Sequence, residues 1–136
     1  MYLLDTNACI AVINGKPALV RNRLANAVAV GDEIFVSTIV AFELWYGVSK
    51  SARAKANAQL VAAFFSGPLT LLDFEDEDAR VAGHLRAEFE VAGKPIGAYD
   101  LLIAGQALRR KLTVITANSR EFGRVPGLRW DDWTKS

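Results

Sequence analysis

Four acidic residues, Asp5, Glu43, Asp100 and Glu121, stand where a carboxylate needs a physical reason to be. Asp5 follows Tyr2, Leu3 and Leu4, a short apolar run bounded by polar residues that reads as a buried strand. Ligands of open α/β sheets bind in the crevice beyond the carboxyl ends of the strands, so this strand delivers a carboxylate to a binding edge. The plainer reading is that Asp5 caps the helix that Thr6 and Asn7 can start. Glu43 is the only charge in the segment Thr38–Val48, and Asp100 the only charge in Ala98–Leu108. Helices apolar on nearly every side are buried or covered by a partner. An ionised carboxylate there is costly unless it is paired or holds a metal. Neither acid has a Lys or Arg three or four residues further on to pair with. Asp100 could serve the helix dipole from a first turn. Glu43, well inside its helix, has no such role.

Glu121 lies in Thr116-Ala-Asn118-Ser-Arg-Glu121-Phe122, just after another short apolar run. The crevice rule returns this segment to the edge that carries Asp5. Thr116 and Asn118 could hydrogen-bond there, and Glu121 could ligate a metal or orient its water. Alternatively, Ser119 caps a short helix and Glu121 sits in its first turn. Carboxylates converging without cysteine or histidine call for a hard cation, magnesium with manganese as the substitute. Such a site can activate water and stabilise the departing oxygen of a phosphodiester, with one ion or two. His84 is the only histidine and reads as a packed or surface residue. One histidine cannot supply a paired-histidine route to RNA cleavage, so cleavage here would need the metal. No 2′-hydroxyl would then serve as nucleophile, and products would carry 5′-phosphate and 3′-hydroxyl ends.

The elements that must position these residues follow from apolar runs and breakers. Strands are expected at Tyr2–Leu4, Glu33–Val36, Leu69–Leu72, Leu112–Ile115 and Leu128–Trp130. Helices are expected over 7–13, stopped by Asn14-Gly15, and from Pro17 towards Gly31. Thr38 is read as the cap of a third helix reaching Ser49, and Ser51 as the cap of a fourth ending at Gly67-Pro68. Glu75–Asp78 opens a long fifth helix to Ala92, read as a helix N-terminus and nothing more. A sixth helix spans Ala98–Arg110, and a short turn of helix covers Ser119–Phe122. Short continuous apolar strands alternating with helices argue a mainly parallel sheet covered on both faces.

The 136 residues are 51% hydrophobic and 23% charged, which fits one globular domain over residues 1–136. A net charge of +1 argues against a polybasic nucleic-acid tail while leaving room for a local basic patch. Cys9 is the only cysteine and falls in an apolar stretch, so it reads as a core residue in a cytoplasmic protein. No signal peptide and no membrane-spanning run is expected.

Leu4-Asp5-Thr6-Asn7, the Glu43 helix, Tyr99-Asp100-Leu-Leu-Ile-Ala104 and Val114-Ile-Thr116-Ala-Asn118-Ser-Arg-Glu121-Phe122 occur in the order seen in PIN-domain nucleases. The tail Arg124-Val-Pro-Gly-Leu-Arg-Trp-Asp-Asp-Trp133 resembles that of VapC-type toxins. Any one motif is weak, but the ordered set spans the chain. The resemblance implies a three-layer PIN-like α/β fold and a magnesium-dependent endoribonuclease cutting structured RNA of the tRNA or rRNA class. It also implies a toxin held silent by a VapB-type antitoxin, a toxin homodimer, and assembly on operator DNA through the antitoxin. By the family pattern Asp5, Glu43 and Asp100 carry over as the metal site, Thr116 as polar support and Asn7 as a hydrogen-bonding neighbour of Asp5. Many relatives place Asp where this chain has Asn118 or Glu121, and Glu121 is taken as the fourth acid.

Basic side chains cluster at Arg109, Arg110, Lys111, Arg120, Arg124 and Arg129, and again at Lys50, Arg53 and Lys55. Arg120 and Arg124 are the candidates for RNA contact; the plainer reading is a set of solvated helix ends. Phe42, Trp45 and Tyr46 exceed what one core face needs, with Phe64 and Phe65 adding to them, and mark a protein interface. By resemblance it is the groove for the antitoxin. Two rivals remain. A phosphoryl-transfer or receiver-like domain would phosphorylate Asp5 or Asp100, but Thr6-Asn7 does not supply its acidic pair. A catalytically silent PIN fold would bind RNA or protein without cutting.

Overall fold

The computed structural model describes residues 1–136. Five strands form one wholly parallel sheet: β1 (Tyr2–Leu4), β2 (Ile34–Ser37), β3 (Thr70–Leu72), β4 (Thr113–Ile115) and β5 (Trp130–Asp131), in the order β3-β2-β1-β4-β5. The helices are α1 (Thr6–Asn14), α2 (Ala18–Ala29), α3 (Thr38–Lys50), α4 (Ala54–Phe65), α5 (Asp76–Val91), α6 (Ala98–Arg110) and α7 (Ser119–Phe122). Every expected element is present, with bounds shifted by at most a few residues.

Leu3 and Leu4 of the central strand are fully buried, as are Val36 and Val114 on its neighbours. A strand covered on both faces needs no polar alternation, which is why these runs are short and continuously apolar. Cys9 is buried in the same core, and burial pushes its thiol well above the usual range. No helix is long and apolar enough to cross a membrane.

The topology fixes where chemistry can occur. From β1 the chain proceeds to β2 on one side, while β4 lies on the other, so the order reverses between β1 and β4. Loops diverging at that point open a crevice at the strands' carboxyl ends. Asp5 leaves β1 there, held by its backbone N–H on the Ile115 carbonyl at 3.1 Å.

Two expected caps are corrected. Ser37, the last residue of β2, caps α3 by accepting from the Ile39 N–H at 3.1 Å. Thr38 instead takes the Phe74 N–H at 3.1 Å, tying α3 to the loop after β3. Ser51 closes α3 rather than opening α4: its hydroxyl donates to the Val48 carbonyl at 2.8 Å. The chain needs Ala52 and Arg53 to turn before α4 begins at Ala54.

The Glu75–Asp78 run does more than start a helix. Glu75 and Asp78 form a reciprocal capping box, and fully buried Asp78 also accepts from Arg109 Nε at 2.7 Å. Arg109 reaches Glu75 and Glu77 as well, and Arg110 also bonds Glu75. These pairs, with Gly105 packed where a Cβ would come within 2.8 Å of the Ala82 backbone, clamp α6 against α5. That clamp sets the position of Asp100 at the other end of α6.

Candidate active site

Asp5 caps α1 from the place in the crevice that the sequence predicts. Its Oδ1 caps α1 by accepting from the Ala8 N–H at 2.8 Å, while the carboxylate lies 4% exposed at the sheet's switch point. Burial raises its pKa, opposed by hydrogen bonding from Thr116 and Ala8 and reinforced by the charges of Glu43 and Asp132. Asn7, expected as its hydrogen-bonding neighbour, is not one. As the second residue of α1 it faces outward and is exposed, and Ala8, one residue on, takes the cap.

Thr116 holds the position expected of a polar support. It directly follows β4 beside Asp5, is buried, and its Oγ1 also accepts the Asn118 N–H at 2.9 Å. Glu43 projects from α3 and accepts from the Thr6 hydroxyl at 2.7 Å. Asp100 sits in the first turn of α6, where Asn118 Nδ2 donates to its Oδ2 at 2.9 Å. Glu121 accepts from the Gly97 N–H at 3.2 Å and from Asn118 Nδ2 at 3.5 Å.

Asp100 and Glu121, both reached by Asn118 Nδ2, shift in opposite directions. Burial pushes the Asp100 carboxyl up to about 7, aided by its hydrogen bond and charge interaction with Glu121 and by the charge of Asp5. Glu121 moves down because Asp100 donates to it, with help from the Gly97 N–H and the Arg124 charge. Like charges brought close in a partly buried place disfavour full ionisation, which is the direction Asp5 and Asp100 both take. No lysine or arginine forms an ion pair with Asp5, Glu43 or Asp100.

As the side chains stand, no three carboxylates converge as a direct ligand set. Glu43 is turned onto Thr6, and Asp100 onto Asn118 and Glu121. The donors nonetheless fit magnesium: all are oxygens, they are uncompensated, and that ion keeps several waters and takes few direct protein ligands. A softer metal would find no imidazole or accessible thiolate, since His84 is on the far helix α5, bonded to Glu88 at 2.6 Å, and Cys9 is buried.

These features match a known family. A model of the PIN domain covers residues 2–128. The chain belongs to the PIN-domain family. Among its PIN-family relatives it is 41% identical over 132 residues to the tRNA(fMet)-specific endonuclease VapC of Salmonella typhimurium, covering 97% of each chain. It is 40% identical to Ribonuclease VapC2 of Rickettsia felis, with 99% of each chain covered. The VapBC2 structure from Rickettsia felis, bound to a DNA fragment from their promoter, superposes with a TM-score of 0.90 at 39% identity over 97% of this chain and 98% of that one. DNA-bound VapBC from Salmonella typhimurium gives 0.88 at 41% identity over 97% of each.

Around the PIN-domain carboxylates the surface is aromatic. A groove of about 450 Å³ is lined by Thr6, Phe42, Glu43, Tyr46, Lys50 and Tyr99. Phe42 and Tyr99 pack across it at 5.8 Å between ring centroids, and the Lys50 ammonium lies 5.0 Å over the Tyr46 ring. Phe42, Trp45 and Tyr46 are all exposed, while Trp45 stacks on Phe65 at 6.3 Å. The apolar excess of α3 therefore faces outward, while Val40 and Leu44 are buried in the core and Val48 packs against it.

The basic residues sort differently from expectation. Arg109 and Arg110 are spent on the acidic start of α5. Arg124 is also engaged: it donates to the Lys94 and Pro95 carbonyls and covers the Phe89 ring at 5.1 Å, pinning the loop before α6. Arg120 is exposed on α7, one residue from Glu121. Two residues at the site were missed from sequence, Thr6 and Asp132. Asp132 follows β5 as Asp5 follows β1, so the same crevice rule reaches it once β5 is seen to extend to Asp131.

Proposed function

We propose that this chain is a magnesium-dependent endoribonuclease toxin of the VapC type, acting in the cytoplasm on structured RNA of the tRNA class. The observation that carries the reading is the uncompensated carboxylate set, Asp5, Glu43 and Asp100 with Glu121 behind them, at the switch point of a parallel sheet. Relatives named as endonuclease or ribonuclease, matched along nearly their whole length, support the same activity.

Asp5, Asp100 and Glu43 would hold the ion, directly or through its waters, with Glu121 orienting rather than ligating. A bound divalent cation supplies Lewis-acid stabilisation of the phosphodiester and lowers the pKa of water. Asp5 is held for this by the Ala8 N–H, with Thr116 beside it. Asp100, its carboxyl pushed up to about 7 chiefly by burial, would hold or release a proton near neutral pH, with Glu121 beside it. Thr6 steadies Glu43. Lys50, seated over the Tyr46 ring in the groove, and exposed Arg120 would meet phosphates.

The exposed Phe42, Trp45 and Tyr46 face is assigned to a VapB-type antitoxin, with a homodimer and operator binding through that partner. The likeness to VapBC complexes, two of them DNA-bound, supports this assignment. The deciding experiment is cleavage of cellular RNA by the antitoxin-free protein in magnesium and in EDTA, with Asp5→Asn as control. Asparagine keeps the helix cap, so the variant should fold normally by circular dichroism and yet lose cleavage. RNA left intact by the wild type in magnesium overturns the reading.

A further inference from the structure

Beside Asp5 lies a cavity of about 220 Å³ that shares no lining residue with the groove at Glu43 and that the proposed chemistry does not use. Ala8 and Ala11 of α1, Val20 of α2, Ile115 and Trp133 make its apolar floor, all buried. Asn7, Lys16 and Ala117 stand exposed at its rim. Its one acid is Asp132, half-buried at the end of β5, whose Oδ1 is fixed by the Thr134 N–H at 2.9 Å and the Thr134 hydroxyl at 2.5 Å. Oδ2 of Asp132 has no partner in the chain.

We infer that this cavity is a nucleobase pocket that holds a base next to the scissile phosphate and reads an exocyclic amino group through Asp132. The inference rests on the nuclease reading above. Three observations carry it. First, the cavity adjoins Asp5: Ala8, whose N–H donates to the Asp5 carboxylate at 2.8 Å, and Thr116 both line it, and the Asp132 charge acts on Asp5. Second, its size is below the roughly 300–1,000 Å³ of pockets for drug-sized ligands and suits one ring system. Third, it pairs apolar walls with a rigid acceptor inside and Lys16 at the mouth, where a flanking phosphate would lie. Sequence-specific readout of RNA works on unstacked bases, splayed out and hydrogen-bonded along their edges. A carboxylate accepts from an amino group such as that of cytosine. Adenine, cytosine and guanine present one; uracil does not.

The pocket can be tested with and without cleavage. In EDTA, adenosine and cytidine should shift the methyl resonances of Ala8, Ile10 and Ala11, and uridine should shift them several-fold less. Ala117→Trp, which fills the mouth from an exposed position, should abolish the shifts without lowering the melting temperature. Absence of any shift at millimolar nucleoside overturns the pocket, whatever the protein does to RNA. For cleavage, an oligoribonucleotide carrying one abasic site at each position around the cut is compared with the intact strand. The wild type should lose about tenfold in kcat/KM at one flanking position, and Ala117→Trp should lose that sensitivity. Asp132→Asn should narrow the preference against uracil there. Equal abasic sensitivity in wild type and Ala117→Trp sinks the inference while leaving the nuclease intact. Failure of the wild type to cut any RNA sinks the nuclease reading instead.

Discussion

The Thr6 hydroxyl donates to Glu43 Oε1 across 2.7 Å, joining the first residue after Asp5 to the middle of α3. Two of the candidate metal-site acids are thereby positioned by neighbouring residues of one turn, although they lie far apart in sequence. Thr6→Val keeps the shape and removes the bond. The expected result is a magnesium midpoint for cleavage raised about tenfold, as when a partner of a metal ligand is lost. At saturating magnesium the rate should recover to within a few-fold. An unchanged magnesium titration would show that Glu43 needs no help from Thr6.

The Asp100–Glu121 pair makes stability depend on pH in a direction that can be worked out. Asp100 holds its proton in the folded state up to about 7, and loses it near the ordinary carboxylate value when unfolded. Between those values the folded chain binds more protons, so metal-free stability falls as pH rises. Glu121, held low, contributes in the opposite sense, its share being lost only as pH falls through its folded value. Melting temperatures in EDTA should therefore decline from pH 5 to pH 8. Magnesium should restore more at pH 8 than at pH 5, because it competes with the proton on Asp100. Asp5, also raised by burial, adds to the same decline, so Asp100→Asn should weaken both trends without abolishing them; a melting temperature that climbs over this range contradicts the assignment.

The arginines separate into structural and free, and salt dependence can tell them apart. Arg120→Ala should reduce the slope of log affinity against log salt by about 0.7, the value for one contact with single-stranded nucleic acid. Arg109→Ala should leave that slope alone and lower stability instead, since its guanidinium serves Asp78, Glu75 and Glu77. Asp78→Ala should cost at least the roughly 1 kcal/mol of a lost helix cap. Binding of a catalytically dead Asp5→Asn background to RNA, measured at several salt concentrations, makes the comparison. A slope change in Arg109→Ala would return that residue to the RNA surface.

What the sequence disclosed and what it hid follow from the range of the forces involved. Strands such as Leu112–Ile115 and stops such as Asn14-Gly15 are local, and they appear in the fold within a residue or two. Gly15 is in the left-handed region at φ 71°, as its role as a stop demands. Asp5, Glu43 and Asp100 were legible because a lone acid in an apolar helix or at a strand end must cap, pair or hold a cation. Arg109 and Asp78 were not, because 31 positions separate them and each alone looks like an ordinary helix terminus. Arg124 misled for the same reason: its partners are backbone carbonyls of Lys94 and Pro95, which no side-chain pattern announces. Asp132 was hidden by the end of a two-residue strand, the shortest signal in the chain.

The aromatic face of α3 gives the last prediction. Trp45 is 41% exposed and Tyr46 58%, yet each is held by a neighbour: Trp45 by Phe65, Tyr46 by Lys50. Preset aromatic side chains lose little entropy when a partner covers them, which is why tryptophan and tyrosine dominate binding energy at interfaces. Trp45→Ala should weaken a VapB-type antitoxin by at least about 2 kcal/mol, roughly thirtyfold. Because the ring lies largely outside the core, the melting temperature of the toxin alone should change little. Cleavage by the free variant should persist, since Trp45 does not line the groove beside Glu43, whereas Tyr46 does. Tyr46→Ala should therefore affect both antitoxin binding and RNA cleavage. Calorimetric titration of each variant with the antitoxin, set beside its cleavage rate, distinguishes an interface that only covers the site from one that shares its side chains. If both variants bind antitoxin as tightly as the wild type, the partner uses another face, and the exposed aromatics of α3 belong to RNA or to the homodimer.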